Sequence, residues 1–217
     1  MPKKVYINVC SRRSPEWGMS LKLQRAMHYA GQNGISCTLS PRVGESLICR
    51  ARNNTLIAFM ETDCDWLMTV DDDIELPEDA IIKLIEDKKD IVGGVYRLKE
   101  GAANTATRWL PDQKDLTGVL KRGDMVKAVY ISTGCMLVRR TVVEVMIAAY
   151  PDLHYVQNVS HKPAWALYQP YIHNTEYLSE DWAFCQRAKD VGFDIWCDAA
   201  IKCAHWGLIR YDFEEAA

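Results

Sequence analysis

The sequence predicts an α/β protein with a Rossmann-like, mostly parallel central sheet and helices on both faces. Strand-like apolar runs alternate with amphipathic helical segments through the first hundred residues, which is the pattern of repeated βαβ units. The strands are nearly continuous apolar runs, as expected when a parallel sheet is buried on both faces. One of them, at 66–70, runs directly into Asp71, Asp72 and Asp73. Ligands of such sheets bind beyond the carboxyl ends of the strands, so this position predicts a site.

The first half of the chain divides into regular elements. Gly34 is expected to end the first helix, because glycine readily adopts the left-handed conformation that follows a helix. The periodicity predicts strands at 5–9, 35–39, 66–70 and 90–96, and helices at 19–33, 47–62 and 77–88.

The second half is less regular. Segments 118–120 and 125–132 are expected to form a small antiparallel hairpin around 121–124. Residues 151–178 read as a long loop whose aromatic side chains either form a sugar-stacking wall or lid or pack in the core. These aromatic residues are Tyr155, Trp165, Tyr168, Tyr171 and Tyr177. The remaining expected elements are strands at 135–138, 194–197 and 201–204 and helices at 141–150 and 180–191, the last closed by Gly192.

Length and composition are those of an ordinary globular domain. The 217 residues suit a single domain, with 1–100 as a nucleotide-binding half and 101–217 as an acceptor-binding half. A net charge of −3 gives no reason to expect nucleic-acid binding. No apolar run approaches a membrane span and the amino terminus lacks a signal-peptide core, so we expect a cytoplasmic protein. The eight cysteines are scattered in apolar segments, which favours reduced core thiols.

The three aspartates admit two interpretations. If strand geometry persists, Asp71 and Asp73 point the same way and face one hard cation, which prefers oxygen ligands. Alternatively, they belong to a solvated acidic turn ahead of the helix that begins near Pro77. Adjacent carboxylates repel one another unless a cation or basic group offsets their charge, and this favours a metal or phosphate site.

Four ordered segments carry a resemblance to a known family. They are 65–77 with 90–96, Arg50-Ala51-Arg52-Asn53, 132–140, and Ser179-Glu180-Asp181 followed by His205. Together they resemble GT-A-fold glycosyltransferases of the family 2 type, the nucleotide-diphospho-sugar transferase fold, over most of residues 5–207. An Asp-x-Asp motif alone is a weak signal, whereas four segments in the expected order are a stronger one.

The resemblance implies a metal-dependent hexosyltransferase that moves a sugar from a nucleoside-diphosphate donor, with UDP-sugar favoured, to a hydroxyl of a glycan or glycoconjugate. Mn²⁺ or Mg²⁺ would bind Asp71, Asp73 and His205, with Asp73 as the direct ligand. Asp71 would also serve the ribose or a metal-bound water, and Asp72 is assigned to the nucleotide site. The cation would neutralise charge that develops on the leaving diphosphate. His205 is otherwise a core histidine beside Trp206.

The resemblance also implies which residues bind and activate the acceptor. Asp181 would be the general base of an inverting reaction, and Glu180 an acceptor contact or alternative base. Thr133, Gly134 and Trp182 would bind the acceptor, with the glycine allowing a close backbone approach. Acidic residues at 180 and 181 are alternatively ordinary for the first turn of a helix.

Further nucleotide contacts follow from position. Ser11 and Arg12 come after the first strand, where a loop of this fold meets the nucleotide, so they are expected to hold base and ribose. Arg50 and Asn53 lie three residues apart on one helical face and are expected to act together on the base or diphosphate. Alternatively, Arg50 and Asn53 are an ordinary exposed arginine and asparagine of a helix, and Arg12 or Arg13 faces solvent.

Two other functions compete with this interpretation. A haloacid-dehalogenase-type phosphohydrolase also places Asp-x-Asp after a strand, but it needs threonine or valine where this chain has Glu75, and it uses the first strand. A non-catalytic sugar-nucleotide or carbohydrate binding module on the same fold is the second alternative. The chain also suits a domain of a larger glycosyltransferase.

Overall fold

The computed structural model describes residues 3–99, 104–113, 115–158 and 160–213. The helices within these residues are α1 (Trp17–Gln32), α2 (Ile48–Met60), α3 (Ala80–Glu86), α4 (Leu116–Arg122), α5 (Arg140–Ala149) and α6 (Glu180–Asp190), with a single 3₁₀ turn at Pro151–Leu153. The longer strands are β1 (Lys3–Ser11), β2 (Ile35–Val43), β3 (Trp66–Asp71), β5 (Ile91–Val95), β7 (Met125–Tyr130), β8 (Cys135–Arg139) and β13 (Trp196–Lys202). The short strands are β4 (Ile74–Glu75), β6 (Arg108–Trp109), β9 (His154–Val156), β10 (Pro163–Trp165), β11 (Tyr171–His173), β12 (Glu176–Leu178), β14 (Ala204–Trp206) and β15 (Arg210–Tyr211).

The central sheet is mixed. Among the described residues it contains eight strands in the order β2-β1-β3-β8-β5-β13-β7-β6. β1 is parallel to β2 and β3, and β13 is parallel to β5. β8 runs antiparallel to both of its neighbours, and β7 runs antiparallel to β13 and β6. The prediction of a mostly parallel sheet is therefore confirmed only in part, because an apolar run shows that a strand is buried but not which way it runs.

The direction of β8 determines what meets at the edge of the sheet. Val70 near the end of β3 pairs with Cys135 at the start of β8. The segment that precedes β8 consequently lies at the edge where β3 ends. A second, three-stranded sheet, β15-β14-β4, brings the segment after β13 to the same region, since His205 pairs with Ile74.

Helices cover both faces of the sheet, as the sequence predicts. Residues of β1 and β3 alternate between two cores, because successive side chains of a strand point to opposite faces. One core contains Leu56 and Phe59 of α2, Val142 and Met146 of α5 and Phe184 of α6, and the other contains Met19 and Leu23 of α1 and Ile81 and Leu84 of α3.

Most predicted elements of the first half are confirmed, with ends that differ by a few residues. Gly34 follows α1 with φ +78°, the left-handed conformation expected of it. Among the described residues, no helix combines the length and apolar character that a bilayer crossing requires.

The hairpin expected at 118–132 is wrong. Residues 116–122 form α4, and β7 pairs with β13 and β6 instead. Asp115 caps α4 by accepting a hydrogen bond from the Gly118 backbone N–H at 2.9 Å, and Gly123 ends it with φ +73°. These two signals outweigh the short apolar run between them.

Two other expectations are corrected in detail. The strands expected at 194–197 and 201–204 are one irregular strand, β13, followed by β14. The stretch 151–178 contains four short strands in two hairpins, β9–β10 and β11–β12. Tyr168 takes the expected core role, since it is buried and stacks on Phe184 at 4.5 Å between ring centroids. Tyr177 is 65% exposed, and the sugar-stacking role stays a prediction.

Candidate functional site

The candidate site lies at the sheet edge where β1 and β3 end. β1 ends at Ser11 and β3 at Asp71, and these strands pair in parallel register. Thr133 and Gly134 reach the same edge because β8 begins there. The backbone N–H of Asp71 donates to the Gly134 carbonyl at 3.3 Å. Residues far apart in the sequence are thereby gathered around the three aspartates.

A polar cavity of about 330 Å³ opens at this edge. Five predicted site residues line it, Arg12 among them, together with two further arginine side chains and the Glu45 carboxylate. Arginine forks suit a ligand that carries phosphate or carboxylate groups. The lining residues are Cys10, Ser11, Arg12, Arg42, Glu45, Ser46, Ile48, Ala51, Arg52, Asp71, Asp72 and Asp73.

Arg52 joins the two acidic parts of the site. This buried residue of α2 donates from Nη2 to Asp71 Oδ1 at 2.9 Å and from Nη1 to the Glu180 carboxylate. Burial by itself lowers the pKa of Arg52, but the surrounding carboxylates outweigh burial and raise it. A permanently charged guanidinium therefore ties the end of β3 to the start of α6.

The pKa of Asp71 is raised from its ordinary value. Burial is the main cause, and the charges of Asp73 and Asp181 add to it, while Arg52 acts in the opposite direction. Asp181 thus lies close enough to Asp71 to influence its ionisation. A cation entering near these carboxylates would lower the electrostatic free energy of the site.

The structure does not bring Arg50 and Asn53 to the cavity. Arg50 is exposed and pairs with Glu45 at 2.6 Å between Nη2 and Oε1. Asn53 is buried, and its Oδ1 accepts a hydrogen bond from the Tyr168 backbone N–H at 2.9 Å. The charged residue of α2 that lines the cavity is Arg52, which lies between them.

Sequence reasoning missed Arg52, although a signal for it exists. Arg52, Leu56 and Phe59 are spaced by four and three residues, which places them on one helical face. This face is buried. An arginine within an apolar stripe needs an anionic partner, and the nearby aspartates supply one.

Asp72 accepts two hydrogen bonds from the end of β1 and the loop that follows it. Its Oδ2 accepts a hydrogen bond from Ser11 Oγ at 2.5 Å, and its carbonyl accepts one from the Glu16 backbone N–H at 2.8 Å. The predicted nucleotide contacts Ser11 and Asp72 therefore contact each other directly.

Asp73 is held by two nitrogen groups. Lys99 Nζ lies 2.5 Å from Asp73 Oδ2, and His205 Nε2 lies 3.5 Å from the same oxygen. Burial tends to raise the pKa of Asp73, but the hydrogen bonds with His205 and Lys99 outweigh it and hold the pKa below its ordinary value. Asp73 is consequently an anion at neutral pH.

The surroundings of Asp73 fit a divalent cation. His205 Nδ1 donates a hydrogen bond to the Arg97 carbonyl oxygen at 2.8 Å, because a carbonyl oxygen only accepts, and Nε2 on the other side of the ring faces Asp73. Such a second hydrogen bond commonly orients a metal-binding histidine. In the described parts of the chain, no three His, Cys, Asp or Glu side chains form a complete metal-binding group. The remaining ligands would come from a bound phosphate and water, as is common for Mg²⁺.

Asp181 and Trp182 lie at the start of α6. Asp181 Oδ1 accepts hydrogen bonds from the Ser179 hydroxyl and from the Trp182 backbone N–H, the latter at 2.8 Å. Trp182 stacks on Tyr130 with ring centroids 5.2 Å apart, and the Arg108 guanidinium lies 5.4 Å from the Trp182 ring centroid. One oxygen of Asp181 is therefore fixed by the helix start, which orients the carboxylate.

Gly134 has a packing reason to be glycine. A Cβ atom there would lie 2.5 Å from Tyr96 Oη, the atom that accepts a hydrogen bond from the Gly134 backbone N–H at 3.2 Å. Thr133 is also buried, and its Oγ1 forms no hydrogen bond with any described residue. The hydroxyl of Thr133 therefore has hydrogen-bonding capacity that the described residues do not use.

Comparisons with known proteins give no family for the chain. No protein-family model and no curated protein sequence matches it. Similar solved structures include S. aureus TarS 1–349, with 10% identity and a TM-score of 0.44, which covers 89% of this chain and 58% of that one. TarS 1–349 in complex with UDP-GlcNAc has 11% identity and a TM-score of 0.46, and covers 89% and 56% of the two chains.

A third structure is the inositol-1-phosphate CTP transferase from T. maritima. It has 11% identity and a TM-score of 0.40, and the match covers 88% of each chain. This chain spans little more than half the length of the two TarS structures. Likeness at this level does not assign the chain to a family.

Proposed function

We propose that the protein is a glycosyltransferase that moves a sugar from a nucleoside-diphosphate sugar, with a UDP-sugar favoured, to a hydroxyl of a glycan or glycoconjugate. The observation that carries the proposal is the linkage made by Arg52. One buried guanidinium connects Asp71, in a polar cavity suited to an anionic ligand, to Glu180, beside the proposed base. Donor and acceptor groups of a transfer reaction must lie this close together.

The cavity supplies the donor site of the proposal. Ser11 and Arg12 would contact the ribose and base, and the guanidinium of Arg42 would offset phosphate charge. Asp73 and His205 would hold Mn²⁺ or Mg²⁺, with Asp71 as a further ligand or ribose contact. The bound cation would supply Lewis-acid stabilisation to the leaving diphosphate.

Asp181 is the proposed general base. The acceptor oxygen would attack the anomeric carbon while the carbon–oxygen bond to the diphosphate breaks, and Asp181 would take the hydroxyl proton. Attack opposite the leaving group inverts the anomeric centre. Glu180 is already bound by Arg52, which favours Asp181 over Glu180 for this role. Trp182 and Thr133 would contact the acceptor.

Nucleotide binding provides the first test. UDP, GDP, CDP and dTDP are each added with and without Mn²⁺, and the melting temperature is measured for the protein and for Asp73→Ala. We expect UDP with Mn²⁺ to raise the melting temperature by mass action, and Asp73→Ala to lose the metal-dependent part. No stabilisation by any nucleotide would contradict the proposal.

Turnover separates a transferase from a binding module. Release of UDP from a panel of UDP-sugars is measured with Asp181→Asn as the comparison. We expect Asp181→Asn to retain nucleotide binding and lose at least about a hundredfold in turnover, the usual contribution of a general base. Binding without turnover in the unmodified protein would favour the non-catalytic alternative.

A further inference from the structure

Lys99 occupies the place that a cation at Asp73 would need. Its Nζ lies 2.5 Å from Asp73 Oδ2, the same oxygen that His205 Nε2 faces at 3.5 Å. Two ligand atoms of an octahedral Mg²⁺ ion at about 2.1 Å each lie about 3 Å apart, so a small closure would fit Asp73 and His205 around such an ion. An ammonium group bound to the shared oxygen would then repel the ion at short range. Lys99 and a divalent cation therefore exclude each other.

The stem of Lys99 follows a path that Gly207 leaves open. A Cβ atom at Gly207 would lie 3.1 Å from Lys99 Cδ and 3.4 Å from Lys99 Cγ. The same Cβ would lie 3.2 Å from Tyr211 Cε2, so the absence of a side chain at Gly207 leaves room for both the lysine stem and the tyrosine ring. Lys99 is 41% exposed, and its ammonium group is able to leave Asp73 toward solvent or a phosphate at low cost.

We propose that Lys99 is a resident counter-cation of Asp73, which a divalent cation displaces onto the diphosphate of the donor. The second half of this proposal rests on the proposed function, because it requires a bound diphosphate. In the nucleotide-free protein, Lys99 neutralises Asp73 and opposes metal binding. When the nucleotide is present, the released ammonium gains a new anionic partner. Metal and nucleotide then bind cooperatively, and this coupling is reciprocal.

The test measures Mn²⁺ affinity by titration calorimetry, with free Mn²⁺ checked by electron paramagnetic resonance. Lys99→Met keeps the apolar stem over Gly207 and removes the charge. We expect Lys99→Met to bind Mn²⁺ about tenfold more tightly than the unmodified protein without nucleotide, because a competing unit charge is gone. Adding Asp73→Asn to this variant should abolish the gain.

Lys83→Met is the matched control. Lys83 is also 41% exposed and pairs with Asp79 at 2.7 Å, away from the cavity. Its Mn²⁺ affinity should equal that of the unmodified protein. UDP should then increase Mn²⁺ affinity by a larger factor in the unmodified protein and in Lys83→Met than in Lys99→Met.

Equal nucleotide-free Mn²⁺ affinity in Lys99→Met and the unmodified protein would overturn the proposal. An equal effect of UDP on both proteins would overturn the displacement onto the diphosphate. If UDP binds none of these proteins, the proposed function fails, but the nucleotide-free comparison still decides whether Lys99 competes with the cation.

Discussion

At the scale of single residues, the site depends on charge compensation inside a partly buried cluster. Arg52 compensates Asp71 and Glu180, and Lys99 compensates Asp73. Each pairing has a different consequence, because Arg52 is buried whereas Lys99 is substantially exposed. A buried charge that loses its partner destabilises the fold, and an exposed one exchanges partners easily.

Arg52 is therefore expected to be a stability residue as well as a site residue. Arg52→Ala should reduce the free energy of unfolding by about 3 kcal/mol, because two partly buried carboxylates lose their partner. It should also raise the pKa of Asp71 further, since Arg52 acts to lower it. Urea denaturation measures the first effect, and carboxylate titration by NMR measures the second.

Arg50→Ala is the control for this prediction, two residues away on the same helix. Arg50 is exposed and its partner is Glu45, so no measurable change in stability is expected. Similar losses in both variants would contradict the distinction between the two arginines.

At the scale of elements, the sheet is fixed by close backbone approach as well as by apolar patterning. Gly93 lies in β5 and pairs with Met136 of β8 and Cys197 of β13. A Cβ atom at Gly93 would lie 2.6 Å from the Cys135 backbone carbonyl oxygen and 3.0 Å from Ile131 Cδ1. The first neighbour is backbone, so the clash is relieved only if β8 shifts at the point where it begins beside the site.

Gly93→Ala is expected to destabilise the protein by about 2 kcal/mol, as overpacking in a core usually does. Chemical denaturation tests this value. Gly31→Ala is the control, because its Cβ would meet nothing within 4 Å and it lies inside α1. There alanine should stabilise by up to about 1 kcal/mol through helix propensity. Stability unchanged in Gly93→Ala would contradict the close approach.

The elements differ in how well the sequence predicted them. α1, α2 and the strands of the first half follow local periodicity and glycine signals, so their existence could be predicted. The hairpin expected at 118–132 failed because its apolar run was weighed without the cap at Asp115 and the left-handed Gly123. Arg52 was missed because the prediction considered the polar pair Arg50 and Asn53. It did not consider the buried helical face that contains Arg52.

At the scale of the whole molecule, two acidic residues at the packing of α3 against β13 should make stability depend on pH. Burial raises the pKa of Asp87 to about 6, and the negative charge of Asp198 contributes to the rise. Lys83 and Lys89 act in the opposite direction. Asp87 Oδ2 is buried and accepts no hydrogen bond from any described residue. The folded state therefore binds a proton at Asp87 more tightly than the unfolded state does.

The sign of the effect follows from this preference. A carboxyl group whose pKa is higher in the folded than in the unfolded state loses stability as pH rises from about 4 to about 6. Asp87→Asn should therefore raise the melting temperature at pH 7.5, and the gain should vanish below about pH 4. Melting curves across this range test it.

Asp63→Asn serves as the control for the pH dependence. Its exposed carboxylate is hydrogen-bonded by Lys4, which is the main cause of a lowered pKa. Removing that carboxylate should not raise the melting temperature at pH 7.5. A pH-independent difference between Asp87→Asn and the unmodified protein would contradict the assignment to Asp87.

The sequence by itself determined the α/β class, the elements of the first half and the position of three aspartates at the end of a strand. These features depend on periodicity and on neighbours along the chain. Only the tertiary structure decided that β8 is reversed, that β14 carries His205 to Asp73, and that Arg52 bonds Glu180, 128 residues away. Such contacts depend on strand direction and on packing between distant segments, which local patterns do not encode.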